Sequence, residues 1–354
     1  MKKLFFIAVA ALTFALTGCE KNPTISIDES QFLVPAAGGE YLVNLTCNTT
    51  WTAEISVAST AQVTVEPEFG SGNAQVKLTV AENLSENPLA AVIRFSAGVA
   101  PKAVFAEVSL NQAGLTSVSW GGVDYKVKKL ADGNIWFVEN LRYVPEGKSV
   151  TADLTALDNG VWYPVDAKNK TLTDNADTVA KKGYLYSVEA ALGLAPGTVN
   201  DANCLSYEGA QGICPPGWHL PTIDEIANLV GRVNASKYDL KQDPGPVVTA
   251  PYWSKELASS TIPLANADGF NVSYTLGCIT AAATATKGTV QNTLSYIHGS
   301  TAKLKDDGTF NKQFYTIYPS VAPATREFGG SCNGAVFNYR GGAAVRCIKT
   351  KLLK

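Results

Sequence analysis

Gly212-Ile213-Cys214-Pro215-Pro216-Gly217-Trp218-His219-Leu220-Pro221-Thr222 is the stretch around which the longer, carboxyl-terminal part of this 354-residue chain is organised. It leads straight into the clearest helix signal in the sequence. Thr222 and Glu225 stand in capping-box spacing, where each side chain can satisfy a free backbone N–H of the first turn. Ile226, Leu229, Val230 and Val233 then recur at helical spacing and give one face to bury. His219 lies between Trp218 and Leu220 in an apolar block and reads as a hydrogen-bonded structural histidine rather than a catalytic base.

Outward from this block the signals are strands and turns. Tyr125-Lys126-Val127 and Ile135-Trp136-Phe137-Val138 flank Ala131-Asp132-Gly133-Asn134, and an Asp-Gly pair between two such runs predicts a hairpin. A polar stretch over about residues 144–182 has little pattern and reads as an insertion with loops. Gly183-Tyr184-Leu185-Tyr186 and a short helix through Glu189-Ala190-Ala191-Leu192 follow. Asp306-Asp307-Gly308 predicts another hairpin turn, and Ala344-Val345-Arg346-Cys347-Ile348-Lys349 a terminal strand.

Four of these blocks, Trp136–Leu141, Gly183–Tyr186, Gly212–Thr222 and Val345–Cys347, stand in the order of the Fibrobacter succinogenes major paralogous domain, which the chain resembles from about Trp120 to Lys349. The resemblance implies a C-type-lectin-like fold for residues 115–354, with two helices packed on a twisted sheet and the termini meeting. It also implies that Cys214 and Cys347 form a disulfide, closing a loop long enough to contribute about 4–5 kcal/mol by chain entropy. By analogy with the inner bridge of C-type lectins, Cys278 pairs with Cys332. Cys47 and Cys204 are left without an assignment, because sequence alone does not settle connectivity.

Residues 23–114 carry a different pattern. Short apolar runs at 24–27, 41–45, 51–55, 63–65, 76–80, 92–95 and 104–110 are separated by Gly, Pro, Asn or Ser, as in a sandwich of two antiparallel sheets. This segment resembles the BACON domain, an immunoglobulin-like module of Bacteroidetes surface proteins. The matching residues are Ala37-Gly38-Gly39, Asn48-Thr49-Thr50-Trp51, Val76 to Val80 leading to Asn83, and Leu110-Asn111-Gln112-Ala113-Gly114. An aromatic usual near Val63 is missing, and the arginine usual a few residues after Asn83 is replaced by Leu89, with Arg94 displaced. The expected fold class is therefore mostly β, an immunoglobulin-like β-sandwich followed by an α+β, C-type-lectin-like domain.

The amino terminus reads as an export signal. Lys2 and Lys3 precede an apolar run from Leu4 to Leu16, too short to span a bilayer but of the size of a signal peptide's apolar region. Leu16-Thr17-Gly18-Cys19 resembles the lipobox of bacterial lipoproteins. Residues 1–18 are accordingly expected to be removed, Cys19 to be acylated, and residues 19–22 to tether the chain to the outer membrane, at the cell surface. Seven cysteines suit such an oxidising compartment.

Composition narrows the functions. Charged residues make up 17 % of the chain, the formal net charge is −2, and basic runs are absent, so nucleic acid is not an expected partner. No C-x-x-C pair and only two histidines speak against a metal centre, and the Glu-Pro-Asn, Gln-Pro-Asp and Trp-Asn-Asp triplets of calcium-dependent lectins are missing. No cofactor motif, nucleophile elbow or P-loop occurs. Cys332 and Cys347 read as structural half-cystines rather than as the reactive pair of formylglycine-generating enzymes, so no catalytic residue is expected. Trp51, Trp136 and Trp218 read as core. Trp162 with Tyr163, and Trp253 with Tyr252, stand in more polar surroundings and are the candidates for exposed ligand contact. The expected function is non-catalytic binding of a glycan or host surface ligand. The alternative is a structural or accessory subunit of a surface appendage or glycan-uptake complex, associating with other surface proteins.

Overall fold

A computed structural model describes residues 22–130, 132–166, 168–229, 277–292, 296–317 and 337–350. The signal segment with Cys19, the Tyr252–Trp253 pair, Cys332, and Val230 and Val233 of the expected helix lie outside the described residues. The chain is mostly β and divides into two compact units that part between Gly114 and Leu115.

The first unit runs through β1 (Ile25–Ile27), β2 (Gln31–Val34), β3 (Gly39–Cys47), β4 (Thr50–Ile55), β5 (Val63–Glu66), β6 (Phe69–Ser71), β7 (Ala74–Val80), β8 (Leu89–Ala97) and β9 (Val104–Gln112). They form two sheets, ordered β1-β3-β7-β5 and β2-β9-β8-β4-β6. The strands alternate as a two-sided sheet requires. In β8, Ala91, Ile93, Phe95 and Ala97 are buried while Ala90 and Arg94 are exposed. The same period turns Val43, Leu45, Val76, Leu78, Val108 and Leu110 inward, closing an immunoglobulin-like sandwich on Trp51 and Phe95, whose rings meet edge to face at 6.2 Å.

Two strands have no counterpart in the sequence reading, β2 and β6. Both are short edge strands with an apolar residue facing outward, Leu33 at 80 % and Phe69 at 73 % exposure, so their sequences lack the apolar–polar alternation that marks the others. The glycine of Ala37-Gly38-Gly39 has a plain cause. Gly38 has φ +75° and a Cβ there would run into the Val80 carbonyl oxygen, so the start of β3 can pass the end of β7 only without a side chain. Asn83 is buried and clasps the far end, its Nδ2 donating to the carbonyls of Asn87 and Ala113.

The second unit contains β10 (Ser117–Trp120), β11 (Val123–Lys129), β12 (Ile135–Phe137), β13 (Val161–Trp162), β14 (Val165–Asp166), β15 (Thr171–Leu172), α1 (Ala176–Lys182), β16 (Leu185–Tyr186), α2 (Val188–Ala191), β17 (Trp218–His219), α3 (Ile223–Leu229), β18 (Cys278–Thr280), β19 (Thr289–Gln291), β20 (Ile297–Leu304), β21 (Phe310–Ile317), β22 (Phe337–Asn338) and β23 (Ile348–Lys349). Its five-stranded sheet is ordered β10-β11-β12-β23-β17, so strands from the two ends of the unit are neighbours. Among the described residues it also holds a three-stranded sheet, β20-β21-β22, and three two-stranded ones.

Several local expectations hold. β11 and β12 form the hairpin across Asp132-Gly133, and β20 and β21 form that across Asp306-Asp307-Gly308. Thr222 caps α3 as a reciprocal box: Glu225 N–H donates to Thr222 Oγ1 at 3.2 Å, and Thr222 N–H donates to Glu225 Oε2 at 2.9 Å. Cys214 and Cys347 are joined, with Cα atoms 5.8 Å apart, tying the start of β17 to the start of β23.

Others are corrected. The 144–182 stretch is not all loop, since it holds β13, β14, β15 and α1. Asn175 caps α1 by accepting from Thr178 N–H at 3.0 Å, with Asp177 in the first turn and Lys181 and Lys182 in the last matching the helix dipole. The terminal strand is confined to Ile348–Lys349; Ala344 instead bridges to Ile297. Cys278 is a free, buried thiol, and its expected partner Cys332 lies outside the described residues. It packs with Phe337 and Ala343 in a small apolar cluster. Cys47 and Cys204 are likewise free and buried.

Candidate functional site

A cleft of about 270 Å³ opens in the second unit between three segments that are far apart in sequence. Its charged lining is Lys148, Asp158, Glu189 and Arg340, and Tyr339 supplies a half-buried ring.

The first wall is the 148–160 loop. Asn159 folds it: its Nδ2 donates to the Ser149 carbonyl at 2.6 Å and the Val161 carbonyl at 3.0 Å, and Ser149 N–H donates back to Asn159 Oδ1. This brings Lys148 beside Asp158, and Lys148 Nζ donates to the Asp158 carbonyl at 3.0 Å. Trp162 holds the same loop from beneath. Its Nε1 donates to the Asp153 carbonyl at 3.1 Å and its ring is fully buried with Leu157, Val165, Leu185 and Ile279.

The second wall is α2 and the loop after it. Gly160, at φ +70°, allows close approach, because a Cβ there would run into the hydroxyl of Ser187. Ser187 in turn caps α2 by accepting from Ala190 N–H. Glu189 is 6 % exposed, and its two oxygens accept from Gly197 and Val199 N–H at 2.9 Å each, which pins the loop.

The third wall follows β22. Val188 N–H donates to the Tyr339 carbonyl at 3.0 Å, joining this wall to α2. Arg340 N–H is held by Asn338 Oδ1, and its guanidinium reaches the Ala283 carbonyl through Nη1 at 3.4 Å and Asp158 Oδ1 through Nη2 at 3.0 Å. A hollow lined by opposed charges, hydrogen-bond donors and one aromatic ring suits a polar ligand with several hydroxyls.

Of the residues singled out in the sequence, Trp162 is not exposed; it is core, and supports the cleft from behind. Tyr163 is half-buried and packs edge to face on Tyr184 at 6.1 Å. Neither lines the cleft. His219 is hydrogen-bonded on both ring nitrogens, to Glu225 and Thr350. His298 is fully buried and its Nε2 donates to the Tyr186 carbonyl at 2.8 Å. Among the described residues no three His, Cys, Asp or Glu side chains come together as a metal-ligand set, and no helix is long and apolar enough to cross a membrane. Lys148, Asp158, Glu189 and Arg340 were not singled out, since no motif joins them; the one local hint is the Asp158-Asn159-Gly160 turn inside the patternless insertion.

Similarities to solved structures are partial. A Bacteroides ovatus GH5 xyloglucanase in complex with a XXXG heptasaccharide is 16 % identical over 27 % of this chain, with a TM-score of 0.24, and the match spans 20 % of that enzyme's length. The Pseudomonas aeruginosa CupB2 chaperone is 10 % identical over 25 % of this chain and 55 % of its own, with a TM-score of 0.22. A protein from Bacteroides thetaiotaomicron is 16 % identical over 29 % of this chain and 96 % of its own, with a TM-score of 0.16. None of the curated proteins is similar enough to match. The model of the Fibrobacter succinogenes major domain matches residues 131–349, more than half of the sequence and all of the segment that builds the cleft, and the chain belongs to that family.

Proposed function

We propose that this protein is a lipid-anchored receptor of the outer membrane, facing the cell surface, whose second unit binds a glycan without transforming it. The cleft carries the reading: Tyr339 beside the Arg340–Asp158 pair, with Lys148 and Glu189 across a hollow of about 270 Å³. That volume is near the lower end of ligand sites, which run from about 300 Å³, and suits one sugar ring rather than a long chain segment. Rings and hydroxyls together are what a sugar needs, an aromatic surface for its C–H face and fixed donors and acceptors for its edge. The neighbouring β12 and β23 support a C-type-lectin-like arrangement, and the Gly38 crossing and Asn83 clasp support a BACON-like first unit serving as spacer. The Leu16-Thr17-Gly18-Cys19 sequence supports the anchor.

A glycan array probed with the purified chain tests the binding. Saturable binding that Tyr339→Ala weakens at least tenfold is expected; no binding to any glycan would refute it. Cys19→Ala should release the chain from the membrane fraction.

A second reading, an accessory subunit held by strand addition, is favoured by the first unit's edges. Edge strands β2 and β6 each bear an exposed apolar residue, Leu33 and Phe69. Phe69→Lys should then abolish cross-linked envelope complexes in cells while glycan binding persists.

A further inference from the structure

We propose that the cleft selects an acidic sugar, a uronic or sialic-type unit, whose carboxylate takes the position on Arg340 that Asp158 holds in its absence. The inference rests on the glycan-binding reading and names the chemical class of the ligand.

The four charges of the cleft are not equivalent. Glu189 is already committed, since both of its oxygens take backbone N–H groups and its side chain is buried in the wall. Arg340 is largely enclosed, with 25 % of its side chain exposed, and is steadied by the Ala283 carbonyl. Asp158, its partner, is the opposite: 78 % of its side chain faces solvent. A pair with one end in water is only weakly stabilised, so exchanging that carboxylate for another costs little. Lys148 reaches the same residue, but only through the Asp158 carbonyl, and among the described residues no carboxylate pairs with it. Both cations of the cleft therefore converge on one exposed acidic residue.

A ligand carboxylate arriving there meets a guanidinium fork and an ammonium together. Arg favours a planar carboxylate because two parallel N–H groups can engage both oxygens, and such charge-assisted bonds are stronger than those a neutral hydroxyl makes. Tyr339, Leu157 and Leu194 leave an aromatic and aliphatic flank for the ring that carries the acid. A neutral sugar would use the flank and leave Lys148 without an anion. Asp158 thus acts as an internal stand-in for the ligand, keeping Arg340 aimed into the cleft while no acid is bound.

The test is calorimetry of the full chain against a panel of uronate- and sialate-containing oligosaccharides, each with its carboxylates free or methyl-esterified, and against acetate as a sugarless carboxylate. Free acids are expected to bind at least tenfold more tightly than their esters, and acetate far more weakly than either. Arg340→Gln should erase the preference of acid over ester. Asp158→Asn, a solvent-facing change whose fold is checked by thermal melting, should tighten acid binding severalfold by removing the competitor. Esters that bind as well as acids, or an Asp158→Asn chain that binds acids more weakly, would overturn the proposal while leaving glycan binding intact. Acetate as tight as the acidic sugars would mark a simple anion site and overturn it too. No binding across both halves of the panel would overturn it together with the glycan reading.

Discussion

His219 Nε2 lies 3.0 Å from each carboxylate oxygen of Glu225, while its Nδ1 meets Thr350 Oγ1 at 2.9 Å. One glutamate therefore serves two purposes, closing the cap of α3 and fixing the histidine of β17. Burial pushes the Glu225 carboxyl up, but hydrogen bonds from His219 and from Thr222 N–H outweigh it, leaving the group below the ordinary carboxylate range. A depressed acid contributes stability that is present above its unfolded pKa and is lost as pH falls through the folded one. Glu225→Gln should cost about 1–2 kcal/mol near neutral pH. The gap from the parent should narrow in urea titrations below about pH 4, where the unfolded carboxylate takes up its proton before the folded one does. A gap that stays constant with pH would show that charge has no part in it.

The Cys214–Cys347 bridge closes a separation of 133 residues. In the chain-entropy model a loop of that length contributes about 5 kcal/mol. The Cys214→Ser/Cys347→Ser double variant should unfold at markedly lower denaturant, with the parent falling to the same midpoint under strong reductant. Equal midpoints for parent and variant without reductant would mean that the bridge does not form in the isolated protein.

Trp162 and Tyr339 should separate stability from binding. Trp162 fills the small core behind the cleft and supports the loop that carries Asp158, so Trp162→Ala should cost about 3–5 kcal/mol. Tyr339 is half-buried at the cleft itself, and Tyr339→Ala should reduce glycan binding with a smaller loss of stability. Thermal melts and binding isotherms on the two variants check this. If Trp162→Ala were the milder change in the melts, its placement in the core would be wrong.

What could be read from sequence was what is local or carried by a contiguous block. The capping box of Thr222 and Glu225 spans one turn, and the hairpin at Asp132-Gly133 needs only its own two strands. Helix α1 escaped notice because Ala176–Lys182 buries no residue, so no apolar period exists to be seen. Trp162 was misjudged for a related reason. It follows the turn-like Asp158-Asn159-Gly160, and beside Leu157 and Val165 the residues that bury it, Leu185, Ile279 and Ala281, come from remote segments. The cleft is the extreme case, since Asp158 and Arg340 meet across 182 residues and neither carries any local mark of the other. The Cys214–Cys347 pair is legible only through family resemblance, because nothing local in the sequence joins two residues so far apart.

Cys278 should be chemically silent in the native protein. Burial pushes its thiol up to about 12, and its surroundings, Phe337 and Ala343, are apolar. Thiolate is the reactive form, so iodoacetamide at pH 8 should leave Cys278 unmodified in native protein and alkylate it in guanidinium, as mapped by peptide mass spectrometry. Stoichiometric native labelling would contradict its enclosure.

His298 supplies the sharpest pH dependence. Burial lowers its pKa to about 4, against a smaller opposing effect of the hydrogen bond to the Tyr186 carbonyl, and Nδ1 has no partner among the described residues. The folded ring is therefore neutral with its proton on Nε2, while the unfolded ring titrates near 6.5. Between those values the unfolded chain takes up a proton that the folded chain refuses. The stabilising difference is complete above about pH 6.5 and is lost progressively as pH falls toward 4. Between pH 7.5 and 5 the loss should be about 2 kcal/mol from this group alone. His298→Gln retains a side-chain donor but has no titrating ring, so it should lower stability at neutral pH and flatten the decline. Urea midpoints of parent and variant at the two pH values give the slopes, and equal slopes would show that this imidazole is not the group that senses acid.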